Sequence, residues 1–146
     1  MAEAYLNALA PDRFEAESAG IEPGSLNPIV VDAMKEEGID ISLNKTKSVQ
    51  GFINPKRAYD YIITVCDEAS AERCPVFPGK GKRIHIGFED PSSFQGSYEE
   101  KLEKTIAVRN QIKARIQQWI KECGNDWARA FSFGGFLRGG CGKLKK

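Results

Sequence analysis

The sequence predicts an α/β fold in which helices flank a parallel sheet, forming a three-layer sandwich. Two strand-like segments, 59–66 and 83–88, alternate with helical patterns along the chain. The last of these helical patterns, 97–122, has an apolar face of the kind that packs on a sheet. Strands that alternate with helices favour right-handed parallel connections, and ligands then bind beyond the carboxyl ends of the strands. We therefore expect functional residues directly after each strand.

The composition is that of one globular domain. The 146 residues are 41% hydrophobic and 28% charged, which is enough for a single core. A formal net charge of +1 gives no electrostatic reason to expect a nucleic-acid or membrane partner. No apolar run approaches the length of a bilayer span, and the first residues lack the pattern of an export signal. We expect a cytoplasmic monomer.

Three elements are predicted before the first of the two strand-like segments. Residues 2–9 are good helix formers with an apolar spacing, and residues 14–19 alternate between apolar and polar as a short strand does. Asn27 and Pro28 supply an N-cap and a proline at the first helical position, and Gly38 provides a stop. The sequence therefore predicts a helix, a strand and a second helix.

The two strands and the long helix follow. Segment 59–66 is a nearly continuous apolar run, typical of a strand that is buried on both faces, and 83–88 is a second extended segment. The helix over 97–122 opens with a capping box formed by Ser97 and Glu100. Its apolar stripe comprises Leu102, Ile106, Val108, Ile112, Ile116 and Ile120.

From residue 123 onward the chain becomes rich in glycine and basic residues. We interpret residues 1–122 as the domain and residues 123–146 as a flexible tail.

Four cysteines in a chain without an export signal indicate thiols or transient redox partners rather than a permanent disulfide framework. Cys66 closes the first predicted strand, and Cys74 follows eight positions later across a loop. Three interpretations remain open for this pair: buried structural thiols, a reversible redox couple, or metal ligands. Zinc sites favour two to four intervening residues, so we predict no metal, and nothing in the sequence calls for a cofactor.

Two further residues lie near the expected ligand edge. Asp90, followed by Pro91, comes just after the second strand, where a carboxylic acid can protonate a leaving oxygen or simply begin a turn. His85 is the single histidine, and its strand-like neighbours favour a packing or hydrogen-bonding role over catalysis.

Several segments together resemble one family, in that family's order, over residues 1–122. They are Met1-Ala-Glu-Ala, Glu17-Ser-Ala-Gly20, Thr64-Val-Cys-Asp-Glu-Ala-Ser70, Cys74-Pro75 and His85-x-x-Phe88-x-Asp90-Pro91. The family is that of the thioredoxin-coupled arsenate reductases, which share the fold of low-molecular-weight protein tyrosine phosphatases.

The resemblance implies roles for five residues. Asp90 is expected to be the general acid that protonates the leaving oxygen of the arsenate adduct or of a phosphate monoester. Cys66 is expected to attack the arsenylated nucleophile and release arsenite, and Cys74 to resolve the product into a Cys66–Cys74 disulfide that thioredoxin reduces. Glu3 and Ser18 are expected to be polar supports of the oxyanion loop.

The resemblance also exposes a difference. In the family, a first strand leads into a Cys-x5-Arg loop that holds the oxyanion and supplies the nucleophilic cysteine. That segment would precede the helix that begins here at Met1. We therefore expect a misplaced start or a truncated gene, with the first strand missing and the chain inactive as written. The alternatives are a phosphomonoesterase of the same fold and a non-catalytic remnant.

Overall fold

The computed structural model describes residues 1–53, 59–65 and 80–132, with side chains described as far as Cys123. The chain divides into two compact units, Met1–Glu17 with Asn110–Lys146 (unit 1) and Ser18–Arg109 (unit 2). The elements in chain order are α1 (Ala2–Leu9), α2 (Pro28–Lys35), a 3-10 turn (Val49–Gly51), β1 (Tyr61–Thr64), β2 (Lys82–His85), a second 3-10 turn (Pro91–Ser93) and α3 (Tyr98–Ser132).

Unit 1 is built on helical segments. Helix α1 confirms the prediction for 2–9, and the second half of α3 lies in the same unit. Among the described side chains of the unit, the buried ones are Tyr5, Leu6, Ala10, Ile112, Ile116, Trp119 and Cys123. Those from α3 recur at the three- and four-residue spacing of one helix face. The Phe14 ring lies 5.0 Å from the Trp119 ring at an angle of 42°, so the segment after α1 packs on α3.

The predicted strand over 14–19 was wrong. These residues have no regular structure, and all of their side chains are half-buried or exposed, so the alternation does not mark a buried sheet face. Instead, the Asn7 side chain pairs with the backbone of Ala16 through bonds of 3.0 and 2.8 Å. The side-chain amide therefore satisfies the hydrogen-bonding groups of the Ala16 backbone, which the prediction assigned to a neighbouring strand.

Helix α2, in unit 2, begins and ends as predicted. The Asn27 side chain accepts a hydrogen bond from the Ile29 N–H at 3.0 Å, and Pro28 occupies the first turn. The turn that follows contains Gly38 at φ 77°, a conformation that disfavours any side chain. Ala33 and Met34 face inward and are fully buried.

Strands β1 and β2 pair in parallel, as predicted. Their register aligns Thr64 with His85 at the carboxyl end, and the Ile86 N–H donates to the Thr64 carbonyl at 2.8 Å. The expected burial of β1 on both faces was wrong, because all four of its side chains are half-buried. Within the described residues, β1 pairs with β2 alone. The apolar run of β1 therefore corresponds to a strand whose two faces are only partly buried.

Gly81 is needed where the chain enters β2. A Cβ atom there would clash with the Tyr59 carbonyl oxygen, which lies much closer than van der Waals contact allows. We expect Gly81→Ala to lower the free energy of unfolding by about 1–3 kcal/mol, because the backbone must shift to relieve the clash. Gly51→Ala is the matched control, since nothing lies within 4 Å of its added methyl group. Equal urea midpoints for the two variants would contradict this account.

The capping box of α3 is confirmed. The Ser97 N–H donates to Glu100 Oε2 at 2.8 Å, and the Glu100 N–H donates to Ser97 Oγ at 3.2 Å. The helix runs to Ser132, beyond the predicted end at Glu122. One interior glycine, Gly124, costs about 1 kcal/mol, which a long helix tolerates. The helix therefore enters the predicted tail, of which residues 133–146 lie outside the described part.

The core face of α3 is more polar than the predicted stripe. Val108, Ile112 and Ile116 are buried as expected, whereas the remaining predicted members are half-buried. Thr105 is fully buried, and its hydroxyl donates to the Lys101 carbonyl at 2.7 Å. This bond within the helix satisfies the hydroxyl, so a polar residue fits on the apolar face.

Arg109 is the second polar residue of that face and is 6% exposed. Its Nη1 donates to the Ala33 carbonyl at 2.6 Å, near the carboxyl end of α2. Two carboxylates complete the cluster, Glu36 at 3.4 Å and Glu37 at 3.5 Å. The guanidinium therefore caps α2, whose terminal carbonyls lack helical partners and whose dipole favours a cation there.

Tyr98 makes another contact between α3 and α2, this time at the surface. Its hydroxyl donates to Asp32 Oδ2, and this hydrogen bond raises the pKa of Tyr98 above the ordinary value. The side chain remains 46% exposed, so the contact is less shielded from water than that of Arg109.

Candidate active site

The carboxyl end of the strand pair, in unit 2, carries a side-chain pair. Thr64 and His85 are the last residues of β1 and β2 and are aligned in register. Their side chains meet, with Thr64 Oγ1 2.8 Å from His85 Nδ1. The expected hydrogen-bonding role of His85 is thus observed, but the ring is exposed to solvent rather than packed in a core. Thr64 was not singled out from the sequence, because its role depends on the register between distant strands.

The chain leaves β1 through Val65, which is 43% exposed. The next residue is Cys66, the first of the two predicted relay thiols. Cys66 and Cys74 both lie outside the described residues, so their pairing stays a prediction.

Asp90 is described in full and is exposed. It caps the 3-10 turn Pro91–Ser93, with its Oδ1 accepting from the Ser92 N–H at 2.9 Å. Its backbone carbonyl accepts from Ser93 Oγ at 2.7 Å. Its second carboxylate oxygen, Oδ2, has no hydrogen-bond partner among the described residues. The turn-forming and acid roles, which appeared as alternatives in the sequence, are therefore compatible in one side chain.

The segment between β2 and Asp90 is anchored to the sheet. Ile86 is buried, and its N–H continues the parallel ladder to Thr64. Phe88 is half-buried. This anchoring makes Asp90 part of the loop that follows β2, at the carboxyl edge where α/β folds bind ligands.

The two predicted oxyanion-loop supports lie in different units. Glu3 is in the first turn of α1, in unit 1, and is half-buried. Ser18 is the first residue of unit 2 and is exposed. Their roles remain predictions.

The printed sequence contains a Cys-x5-Arg spacing from Cys123 to Arg129. Both residues belong to the continuous helix α3, and the Cys123 side chain is 4% exposed. An oxyanion loop needs several backbone N–H groups converging on one point, whereas helical N–H groups bond to the preceding turn. This spacing therefore does not form an oxyanion loop.

In the part of the chain that the structure covers, no three histidine, cysteine or acidic side chains are grouped as a metal site. Within the same part, no helix has both the length and the apolar character to cross a bilayer.

Comparisons with known proteins agree with this geometry. The family described as "Low molecular weight phosphotyrosine protein phosphatase" matches residues 1–129. Arsenate reductases of Bacillus subtilis and Shouchella clausii are 41% and 39% identical over 121 residues, covering 83% of this chain and 85% of each relative. The structure of an arsenate reductase in the reduced state superposes with a TM-score of 0.65 at 26% identity, covering 83% of this chain and 86% of that one. An oxidised arsenate reductase also gives a TM-score of 0.65, at 25% identity. The predicted fold class, a parallel sheet with flanking helices, is confirmed.

Proposed function

Because the chain belongs to the low molecular weight phosphotyrosine protein phosphatase family, we propose that it acts as an arsenate reductase that thioredoxin regenerates. The observation that carries the proposal is the identity of about 40% to arsenate reductases over 83% of the chain. Asp90, in the loop after β2, is a supporting feature of the described structure. Cys66, which follows the last residue of β1 by two positions, is a supporting feature of the sequence.

Asp90 is the proposed acid. Its carboxyl group protonates the oxygen that leaves arsenic, so that this oxygen departs as water. The Ser92 N–H holds Oδ1, and this orientation leaves Oδ2 for the proton. Exposure of Asp90 to solvent allows it to be reprotonated between turnovers.

Cys66 and Cys74 are the proposed relay thiols. The Cys66 sulfur attacks a cysteine sulfur that carries arsenic, an S–S bond forms, and the S–As electron pair stays on arsenic, which leaves as arsenite. Cys74 then displaces the first cysteine and leaves a Cys66–Cys74 disulfide. Thioredoxin supplies the two electrons that restore both thiols. The overall reaction converts arsenate and two thiols into arsenite, a disulfide and water.

The proposed reaction also needs a cysteine that carries arsenic. The Cys-x5-Arg spacing of the sequence, from Cys123 to Arg129, does not supply it, because both residues lie within helix α3. We therefore propose that the printed residues alone bind arsenate weakly and do not turn it over. Activity requires a strand and a Cys-x5-Arg loop, for which Glu3 and Ser18 are the proposed supports. We call the protein that carries such a segment before Met1 the extended form.

The test is a coupled assay with arsenate, thioredoxin, thioredoxin reductase and NADPH. The extended form should consume NADPH, and the printed chain should not. Cys66→Ser and Cys74→Ser should each abolish consumption by the extended form, because each removes one relay thiol. Cys141→Ser is the matched control and should retain full activity. Loss of NADPH consumption in the control alone would contradict the assignment of Cys66 and Cys74.

The family match supports a second candidate, a phosphomonoesterase of the same fold. That reaction needs an acid such as Asp90 but neither relay thiol. Hydrolysis of p-nitrophenyl phosphate by the extended form should then survive both Cys66→Ser and Cys74→Ser. If phosphate-ester turnover is fast and arsenate turnover is absent, the phosphatase replaces the reductase. If neither occurs, the chain is a non-catalytic remnant.

A further inference from the structure

The loop that carries Asp90 is fixed at both of its ends. It leaves β2 through Ile86, whose N–H donates to the Thr64 carbonyl at 2.8 Å. It enters α3 at the capping box, in which Ser97 and Glu100 bond to each other. The backbone torsions inside the loop therefore decide where the Asp90 carboxylate lies.

Inside this loop, the backbone carbonyl of Asp90 accepts two hydrogen bonds, and both come from Ser93. The Ser93 N–H donates at 3.0 Å, and the Ser93 hydroxyl donates at 2.7 Å. A carbonyl oxygen has two lone pairs, so these two donors occupy both of them. Asp90 and Ser93 are exposed to solvent, so water could satisfy the carbonyl as well. The hydroxyl therefore contributes a second restraint on the orientation of the carbonyl rather than the rescue of a buried group.

The orientation of the Asp90 carbonyl also sets the position of the group that holds the carboxylate. Asp90 precedes a proline and has the extended backbone that this position favours, with φ −83° and ψ 116°. Rotation about ψ moves the Asp90 carbonyl together with the chain that follows it. The Ser92 N–H, which donates to Asp90 Oδ1 at 2.9 Å, belongs to that following chain. A restraint on the carbonyl therefore also keeps this N–H in place against Oδ1.

We propose that Ser93 is a positioning residue for the acid role of Asp90. Its hydroxyl holds ψ of Asp90 at the value at which Oδ1 bonds to the Ser92 N–H, and Oδ2 then carries the proton. In the transfer, the Oδ2–H bond breaks and an O–H bond forms on the leaving oxygen, while Ser93 keeps its own proton. The acid role comes from the proposed function, whereas the restraint comes from the contacts of Asp90 and Ser93.

The first experiment uses the 146-residue chain and needs no turnover. NMR three-bond couplings from Asp90 Cγ to its own backbone nitrogen and carbonyl carbon report the χ1 rotamer of the side chain. The unmodified chain should show a single rotamer, because Oδ1 is bonded to the Ser92 N–H. In Ser93→Ala the couplings should average over the staggered rotamers, since one restraint on the carbonyl is lost.

Two further variants serve as controls for the couplings. Ser93→Thr keeps a hydroxyl at the same position and should restore the single rotamer. Ser92→Ala removes the neighbouring exposed hydroxyl but keeps the N–H that bonds to Oδ1, so its couplings should match those of the unmodified chain. Amide chemical shifts outside the loop show that each variant is folded.

The second experiment measures arsenate reduction by the extended form. Ser93→Ala should lower kcat about three- to tenfold and leave KM unchanged, because a misoriented acid affects the chemical step rather than substrate binding. Ser93→Thr should restore kcat. In the Asp90→Asn background, Ser93→Ala should have no further effect, because the acid on which Ser93 acts is already absent.

Equal couplings in Ser93→Ala and in the unmodified chain would overturn the proposal. A loss of kcat that persists in the Asp90→Asn background would also overturn it, because Ser93 would then act through another group. Failure of the proposed function gives a different result. Averaged couplings in Ser93→Ala, together with an unmodified extended form that does not reduce arsenate, would refute the reductase and leave the hold of Ser93 on Asp90 intact.

Discussion

In the extended form, Asp90→Asn should lower the rate of arsenate reduction by about 10²–10⁴-fold, the usual range for the loss of a general acid. The amide cannot donate an acidic proton to the oxygen that leaves arsenic. Its carbonyl oxygen can still accept from the Ser92 N–H, as Oδ1 of Asp90 does at 2.9 Å. Asparagine is also a good capping residue, so the turn over Pro91–Ser93 should remain intact.

The design separates catalysis from folding. The urea midpoint of Asp90→Asn should match that of the unmodified protein, whereas Asp90→Ala should lose both activity and about 1 kcal/mol of capping energy. Glu89→Gln removes the neighbouring exposed carboxylate and should retain activity. Activity of Asp90→Asn within threefold of the unmodified rate would exclude Asp90 as the acid.

Arg109→Ala should lower the free energy of unfolding by about 2–4 kcal/mol. The substitution removes the donor 2.6 Å from the Ala33 carbonyl and leaves that buried acceptor without its partner. It also empties the space of a side chain that is 7% exposed. Glu36 is 52% exposed and Glu37 is 22% exposed, so solvent lowers the cost of leaving these carboxylates unpaired.

Two further variants identify the cause. Arg109→Lys retains the charge but lacks the planar fork, so it should recover only part of the loss. Tyr98→Phe removes the Tyr98–Asp32 hydrogen bond between α3 and α2, at an exposed position, and should cost much less than Arg109→Ala. Urea denaturation followed by circular dichroism measures all three. Equal losses for Tyr98→Phe and Arg109→Ala would show that burial of Arg109 is not the source of the stability.

Local signals in the sequence predicted most of the elements correctly. Asn27 and Pro28 marked the start of α2, and Ser97 with Glu100 marked the start of α3, because capping involves residues within one turn of each other. The two apolar segments became the parallel pair β1 and β2. Each of these features depends on neighbours along the chain, and such features are visible in a single sequence.

Features that depend on distant partners were not predictable in the same way. The burial of Arg109 follows from the Ala33 carbonyl, 76 positions away in the sequence. The alternation over 14–19 resembled a strand, but the Asn7 side chain forms hydrogen bonds with both the N–H and the carbonyl of Ala16. Helix α3 continues past Gly124 because a single glycine is a weak stop.

The candidate site shows the same division. The position of Asp90 after a strand was visible in the sequence, and the structure adds that its cap uses one carboxylate oxygen. The partnership of Thr64 and His85 was not visible, since it requires the strand register that pairs two residues lying 21 positions apart in the sequence. The roles of Cys66 and Cys74 come from the resemblance to arsenate reductases.

The proposed function depends on the oxidation of Cys66 and Cys74 to a disulfide by arsenate. The direct measurement is peptide mass spectrometry of the extended form after one equivalent of arsenate, without thioredoxin, with the released arsenite quantified in the same sample. We expect one Cys66–Cys74 disulfide for each arsenite released, with Cys123 and Cys141 still reduced. Arsenite release with both Cys66 and Cys74 still reduced, or a disulfide that involves Cys123 or Cys141, would contradict it.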